Sequence, residues 1–114
     1  MRVKTGKVTR QRHKKWIELA EGSYGSRHSQ FKVAKQTAIR ASQYAYRDRR
    51  NKKRDFRKLW IARINAAVRE QGYTYSQFIH QLDVHKIDIN RKMLSEMAID
   101  NREEFNALVE KAMK

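Results

Sequence analysis

The side chains with the clearest chemistry are the arginines and lysines of the run from Arg47 to Lys58. Eight of its twelve residues are Lys or Arg, and Phe56 is its only apolar residue. Four arginines are spaced three, four and three apart and therefore share one helix face: Arg47, Arg50, Arg54 and Arg57. A guanidinium group binds phosphate through paired hydrogen bonds and stacks on bases. Because a helix that is polar all round cannot bury itself against other protein, the run predicts a surface that binds a polyanion.

Charge is unevenly distributed along the chain. All of the net charge of +15 lies in residues 1–58, which hold 19 Lys/Arg and 4 Asp/Glu, whereas residues 59–114 hold 8 of each class. This asymmetry is typical of an arm that binds nucleic acid, and a merely solvated charged face is the alternative. A membrane-surface helix would need a wide apolar face opposite its charges, which the run lacks.

The sequence lacks the residues that disulfides, membrane spans, metal sites and catalytic sites would need. The chain has no cysteine, which excludes disulfides and thiolate metal sites. Its first thirty residues lack the apolar run of a signal peptide, and no stretch approaches the length of a membrane span. His80 and His85 are five residues apart, which does not suit a metal-binding pair on one helix. No nucleophile motif or phosphate-binding glycine loop is present, so we expect no enzyme, cofactor, metal or small-molecule substrate.

The first thirty residues are expected to hold a short helix and a turn. In residues 2–15, eight of fourteen are Lys, Arg or His, which predicts disorder in the free chain. Thr9 is a candidate cap for a helix that continues through Trp16 and stops at Gly22. The segment from Glu21 to Ser29 is then a turn, either a plain corner between helices or a place where the backbone reaches phosphate and Tyr24 stacks on a base.

One long helix is expected next, because no glycine or proline occurs between Arg27 and Gln71. Its cap is Ser29, its length is about 45 residues, and it ends at Gly72. A narrow stripe follows helical spacing: Phe31, Ala34, Ala38, Ala41 and Ala45. Tyr44 and Tyr46 cannot share a face, so one is expected to join this stripe while the other stacks on a nucleotide. Asp48 is expected to pair with Lys52.

Apolar periodicity begins abruptly after the basic run. Core positions are expected at Leu59, Trp60, Ile61 and Ile64. Three further helices follow: one capped by Thr74 or Tyr75, one capped by Asn90, and one begun by a capping box of Asp100 and Glu103. Their expected apolar positions are Tyr75, Phe78, Ile79, Leu82, Met93, Leu94, Met97, Phe105, Leu108, Val109, Ala112 and Met113. The connector of residues 83–89 has some alternation, which allows a short extended piece.

The predicted fold class is all-α. A long basic helical N-terminal extension, residues 1–58, is followed by a small C-terminal helical domain, residues 59–114. A basic-region leucine zipper is excluded, because stepping by seven from Leu59 gives Ala66, Tyr73 and His80.

The sequence resembles the bacterial large-subunit ribosomal protein L-twenty family over nearly its whole length. The central motif is YAYRDRRNKKRDFRKLWIARINAA, residues 44–67. Further matching motifs are RVK near the start, RHKK at residues 12–15, YSQFIH at 75–80, INRKMLSEMAI at 89–99 and FNALVEKA at 105–112. The glycine turn EGSYGS and the connector of residues 83–88 depart from the family pattern.

The resemblance implies an all-helical protein whose basic extension threads into large-subunit ribosomal RNA while its globular C-terminal domain sits on the RNA surface. It implies a structural role in the ribosome, early action in assembly of the large subunit, and neighbouring large-subunit ribosomal proteins as partners. The implied location is the bacterial cytoplasm, or the plastid stroma for a plastid-encoded member. Some members repress translation of their own messenger RNA, which is the first alternative; a nucleoid-type DNA-binding protein is the second.

The expected RNA contacts come mainly from cations, with a few aromatic and imidazole groups. They are Arg2, Lys4, Lys7, Arg10, Arg12, His13, Lys14, Lys15, Tyr24, Arg27, Lys32, Lys35, Arg40, Tyr46, Arg47, Arg49, Arg50, Lys52, Lys53, Arg54, Arg57, Lys58, Arg63, His80, Arg91 and Lys92.

Overall fold

The computed structural model describes residues 3–114, and the described chain is helical with no strand. In chain order the helices are α1 (Gly6–Leu19), a short 3-10 turn (Gly25–His28), α2 (Phe31–Glu70), α3 (Tyr75–Val84), α4 (Arg91–Asp100) and α5 (Arg102–Met113). The all-α prediction is confirmed. Close Cα neighbours divide the chain into two compact units, residues 1–50 and 51–114.

In the first unit, α1 lies against the beginning of α2. The ring of His13 stacks on Phe31, with ring centroids 3.7 Å apart and planes 15° apart. Among residues 3–50, the buried side chains are three alanines: Ala20, Ala34 and Ala38. These small side chains supply little apolar area.

Two predicted boundaries in this unit are wrong. Helix α1 begins at Gly6, after Thr5 rather than after Thr9, and it includes most of the segment for which composition predicted disorder. Its contact with Phe31 gives the segment a partner that its own residues do not reveal. Ser29 ends the 3-10 turn instead of capping α2, which begins at Phe31 and is 40 residues long.

The turn between α1 and α2 is confirmed, and two glycines make it possible. Gly22 and Gly25 have φ angles of 81° and 65°, a region that L side chains rarely adopt. No atom lies within 4 Å of a Cβ built at either position, so backbone conformation rather than crowding favours glycine. A ring nitrogen of His28 lies 2.9 Å from the carbonyl oxygen of Ser23 and closes the turn.

In the second unit, local capping signals set the helix boundaries. The backbone N–H groups of Gly72 and Tyr73 donate to the carbonyls of Arg69 and Val68, which forms a Schellman motif at the end of α2. Thr74 and Gln77 form a capping box at the start of α3. The Asn90 side chain caps α4 by accepting from the N–H of Met93 at 2.9 Å. All three ends agree with the sequence prediction.

The core of this unit is formed by the last turns of α2 together with α3, α4 and α5. Its fully buried or nearly buried side chains are Ile64, Ala67, Val68, Phe78, Leu82, Leu94, Ala98, Phe105, Val109 and Ala112. Phe78 and Phe105 meet at its centre, with ring centroids 5.8 Å apart and planes tilted by 60°. The one buried polar residue, Ser95, donates its hydroxyl hydrogen to the Lys92 carbonyl at 2.8 Å.

Three details of the predicted C-terminal domain are wrong. Leu59 and Met93 are 42% and 53% exposed, so neither is a core residue. Asp100 is the last residue of α4, and Asn101 alone separates α4 from α5, so the predicted capping box of Asp100 and Glu103 does not form. Residues 87–90 of the connector after α3 belong to no helix or strand, and Asn90 has an extended backbone conformation.

The end of α3 offers a test of backbone strain. Lys86 has φ 54°, and the N–H groups of Lys86 and Ile87 donate to the carbonyls of Asp83 and Leu82, the Schellman pattern with lysine in the glycine position. Lys86→Gly should raise the free energy of unfolding by up to about 1 kcal/mol, since the relief of left-handed strain exceeds glycine's extra chain entropy. Lys86→Val removes the same charge but introduces a branched Cβ at the left-handed position, and it should be less stable than wild type. Thermal melts of the two variants are the measurement. A valine variant as stable as the glycine variant would contradict the backbone strain expected at position 86.

The division into an extension and a C-terminal domain is a prediction about independent folding. All ten core residues lie between Ile64 and Ala112, so a fragment of residues 59–114 contains the whole core. The described part of this extension, residues 3–58, buries three alanines, worth roughly 2–3 kcal/mol in transfer free energy, against about 1 kcal/mol of chain entropy for each ordered residue. Fragment 59–114 should therefore melt cooperatively, whereas fragment 1–58 should show no cooperative transition in low salt. Circular dichroism of the two fragments is the measurement, and a dispersed NMR spectrum of free 1–58 would overturn the prediction.

Candidate nucleic-acid interface

The basic run of residues 47–58 lies entirely within α2, and each of its eight Lys and Arg side chains is exposed. Helical spacing keeps four of the arginines on one face. Its two carboxylates form ion pairs with cations one and three residues away in the run. Eight cations and two carboxylates give the segment a net charge of +6.

Two arginines of the run lie over tyrosine rings. The guanidinium carbon of Arg47 lies 4.8 Å from the Tyr44 ring centroid, and that of Arg50 lies 4.7 Å from the Tyr46 ring. Arg40 lies 5.7 Å from the same Tyr44 ring. Such cation–π contacts restrict the rotamers of an arginine before it binds. Neither tyrosine is buried, so the prediction that one of them joins the alanine stripe is wrong.

The carboxylates of the run form ion pairs, but not the one predicted between Asp48 and Lys52. The Nε–H of Arg47 donates to Oδ1 of Asp48 at 2.8 Å, so Asp48 pairs with Arg47 rather than with Lys52. This hydrogen bond, with the charge of Asp48, raises the pKa of Arg47 above its ordinary value. Asp55 pairs with Lys58 at 3.8 Å. Each pair is exposed and holds one cation locally without removing it from the surface.

Before the basic run, the predicted site residues fall into two groups. The exposed group can be reached by a ligand, although Lys14 also pairs with Glu18; its members are Lys4, Lys7, Arg10, Arg12, Lys14, Lys15, Tyr24, Arg27, Lys32, Lys35 and Arg40. His13 is half-buried, because one face of its ring packs on Phe31. Tyr24 is 94% exposed at the tip of the turn, which suits stacking on a base. Arg2 lies outside the described residues.

In the second unit, Arg63, His80 and Lys92 are exposed, and Lys92 lies 3.8 Å from Glu96. Arg91 is half-buried, and its Nε–H donates to the Tyr75 hydroxyl at 3.0 Å, which ties the start of α4 to α3. The structure thus gives Arg91 a packing contact in addition to any ligand it binds.

Tyr44 is a residue of this surface that the sequence prediction left out of the site. It contacts Arg40 and Arg47, four residues before it and three after it. That spacing is readable in the sequence, since residues three and four apart are neighbours on a helix. The omission came from treating the two tyrosines only as alternatives for stacking and packing.

Two negative findings concern residues 3–114. No group of three or more His, Asp or Glu side chains in this range is arranged to hold a metal ion. Among its helices, none combines the length and the apolar character that crossing a membrane requires.

Comparison with known proteins gives one consistent result. The family model described as "Ribosomal protein L20" matches residues 2–108. A protein of Ureaplasma parvum serovar 3 is 64% identical over 120 aligned positions that cover 100% of both chains. One from Mycoplasma pneumoniae is 64% identical over 97% of this chain and 87% of its own, and one from Listeria monocytogenes is 58% identical over 99% and 95%. Each of these relatives is named "Large ribosomal subunit protein bL20". The chain belongs to this family of ribosomal proteins, which is not a family of enzymes.

Proposed function

We propose that this chain is a structural component of the large ribosomal subunit that binds large-subunit ribosomal RNA directly and promotes early assembly of the subunit. The observation that carries the proposal is the exposure of all eight cations in the run of residues 47–58 on a helix that buries no apolar side chain there. Such a segment has no protein core to join. The relatives are named as proteins of the large ribosomal subunit, so the polyanion we propose is the RNA of that subunit.

The mechanism is phosphate neutralisation. Each lysine or arginine that contacts a phosphate releases condensed counterions, which drives binding and makes the affinity fall with salt. Arginines already held against tyrosine rings lose less rotamer freedom on binding than free ones. A helix with cations on many sides can bind phosphates from several RNA segments at once. These contacts would hold the RNA segments close to one another during assembly.

The predicted C-terminal domain, residues 59–114, contributes differently. Residues 59–114 carry equal numbers of acidic and basic side chains, so bulk attraction does not hold them on RNA. Recognition there must depend on shape and on a few groups such as His80 and Lys92. Phosphate contacts set position, whereas such local contacts set the choice of site.

Sedimentation of the tagged full-length protein tests the proposal. It should travel with the large ribosomal particle through a sucrose gradient, and ribonuclease should release it while deoxyribonuclease should not. Retention on DNA after ribonuclease would instead favour the nucleoid-type protein.

Messenger RNA is the competing ligand, since exposed cations do not distinguish one RNA from another. Filter binding of the purified chain with labelled large-subunit ribosomal RNA, competed by its own messenger leader, separates the two. Stronger competition by the leader than by unlabelled ribosomal RNA would favour translational repression.

A further inference from the structure

An open hollow on the surface of the first unit has a composition that the basic run lacks. It is lined by Trp16 of α1 and by four residues of α2: Ile39, Ser42, Gln43 and Tyr46. The α2 residues are spaced three, one and three apart, so they form one continuous helix face. From Ile39 to Tyr46 this face extends about 10 Å along the helix axis, which is enough for one nucleoside.

The walls of the hollow are aromatic and accessible. Tyr46 is 57% exposed and Ile39 is 40% exposed, while Trp16 is half-buried beside them. Aromatic rings are the usual partners of unstacked bases, because every base presents a π face. An apolar surface of this kind on a chain with net charge +15 is not explained by phosphate binding alone.

The rim of the hollow carries the charge that a nucleotide needs. Nζ of Lys35 lies 5.7 Å from the centroid of the Trp16 ring, and the guanidinium carbon of Arg50 lies 4.7 Å from that of the Tyr46 ring. Each aromatic wall therefore has its own cation. The nearby carboxylate of Asp48 already accepts a hydrogen bond from Arg47, so it is engaged with another cation.

Two polar residues of the lining, Ser42 and Gln43, can form hydrogen bonds with the edge of a base. The Ser42 hydroxyl donates to the Ala38 carbonyl at 2.9 Å, which leaves its oxygen as an acceptor. Gln43 brings an amide with both donor and acceptor groups. These groups are sequence-tolerant, since an amide and a hydroxyl each fit several base edges.

We propose that this hollow binds a single unpaired nucleotide of the RNA, with its base against Tyr46 and Trp16 and its phosphates beside Arg50 and Lys35. The inference rests on the proposed RNA-binding function and adds a ligand class to it. The chain then holds two kinds of RNA contact in the first unit: cations for paired regions, and an aromatic hollow for a bulged or looped nucleotide.

The test uses tryptophan fluorescence of the full-length protein. The chain has two tryptophans, so Trp60→Phe leaves Trp16 as the only tryptophan, and excitation at the red edge of the absorption band avoids the five tyrosines. The probes are an RNA hairpin with one bulged adenosine and the same hairpin fully paired. The bulged hairpin should quench Trp16 emission at saturation, and the paired hairpin should bind without comparable quenching.

Tyr46→Leu and Tyr44→Leu are the matched variants. Both remove a tyrosine that contacts an arginine, but Tyr44 does not line the hollow. Tyr46→Leu should weaken binding of the bulged hairpin by about 5-fold or more relative to the paired one, whereas Tyr44→Leu should leave that ratio within about twofold of wild type. Two results would contradict the proposed nucleotide site while leaving RNA binding intact. One is an equal loss of affinity for both hairpins with Tyr46→Leu; the other is Trp16 emission that does not change when the bulged hairpin is bound. Binding of neither hairpin would overturn the proposed function as well.

Discussion

Phe78→Ala should lower the free energy of unfolding of the C-terminal unit by about 3–5 kcal/mol. The Phe78 side chain has no exposed surface and meets the ring of Phe105, which is also fully buried. Truncation removes the transfer free energy of the ring and the edge-to-face contact, and it leaves a cavity that neighbouring helices fill only in part. A loss of this size is comparable to the whole stability of a small domain. The measurement is urea unfolding, followed by the helical signal in far-ultraviolet circular dichroism.

Leu59→Ala is the matched control for this prediction. Leu59 is also a large apolar residue, but it is 42% exposed and lies outside the core of the unit. Its truncation should change the free energy of unfolding by less than about 1 kcal/mol. Equal destabilisation by the two substitutions would mean that Leu59 has packing partners that its exposed surface does not indicate.

The contrast between these two residues shows what apolar periodicity can predict. Spacing identified the face of α2 that turns towards the core, and Ile64 and Val68 on that face are fully buried. Spacing does not show how far along the helix its partners extend. The core begins at Ile64, so Leu59 is exposed and Trp60 and Ile61 are only half-buried, although their spacing predicted core positions.

Helix ends were predictable where a few neighbouring residues determine them. Gly72, Thr74 and Asn90 act through hydrogen bonds within four or five residues, and each marks the expected boundary. Asp100 had a suitable partner three residues later, but α4 continues through it to Asn101. A single residue between two helices leaves no room for a separate cap, and sequence pattern alone does not reveal so short a connection.

Contacts of the candidate interface divide in the same way. Exposure of the basic run follows from its composition, because no core accepts eight cations in twelve residues. The stacking of His13 on Phe31 joins residues eighteen positions apart in two helices, and composition gives no signal for it. The same pairing of α1 with α2 brings Trp16 beside Tyr46 in the hollow, which explains why that feature was absent from the sequence prediction.

Replacing the four arginines of one face by glutamine should produce the largest loss of RNA binding. The substitutions are Arg47→Gln, Arg50→Gln, Arg54→Gln and Arg57→Gln, and all four side chains are exposed, so the fold should be preserved. If each contacts one phosphate, the slope of log affinity against log salt should fall in magnitude by about three, with each single substitution contributing roughly 0.7–0.9. Glutamine keeps a long polar side chain and good helix propensity, so the change isolates charge.

The control removes four cations that were not expected to contact RNA: Arg69→Gln, Lys86→Gln, Lys111→Gln and Lys114→Gln. All four are exposed in the second unit, and the net charge of the chain falls by the same amount. Because direct phosphate contacts determine the slope, this variant should keep the wild-type slope within about one unit. Filter binding to large-subunit ribosomal RNA at several salt concentrations compares the two. If both variants lose the same slope, attraction depends on total charge and the arginine face is not an interface; if only the first loses it, phosphates contact that face of α2.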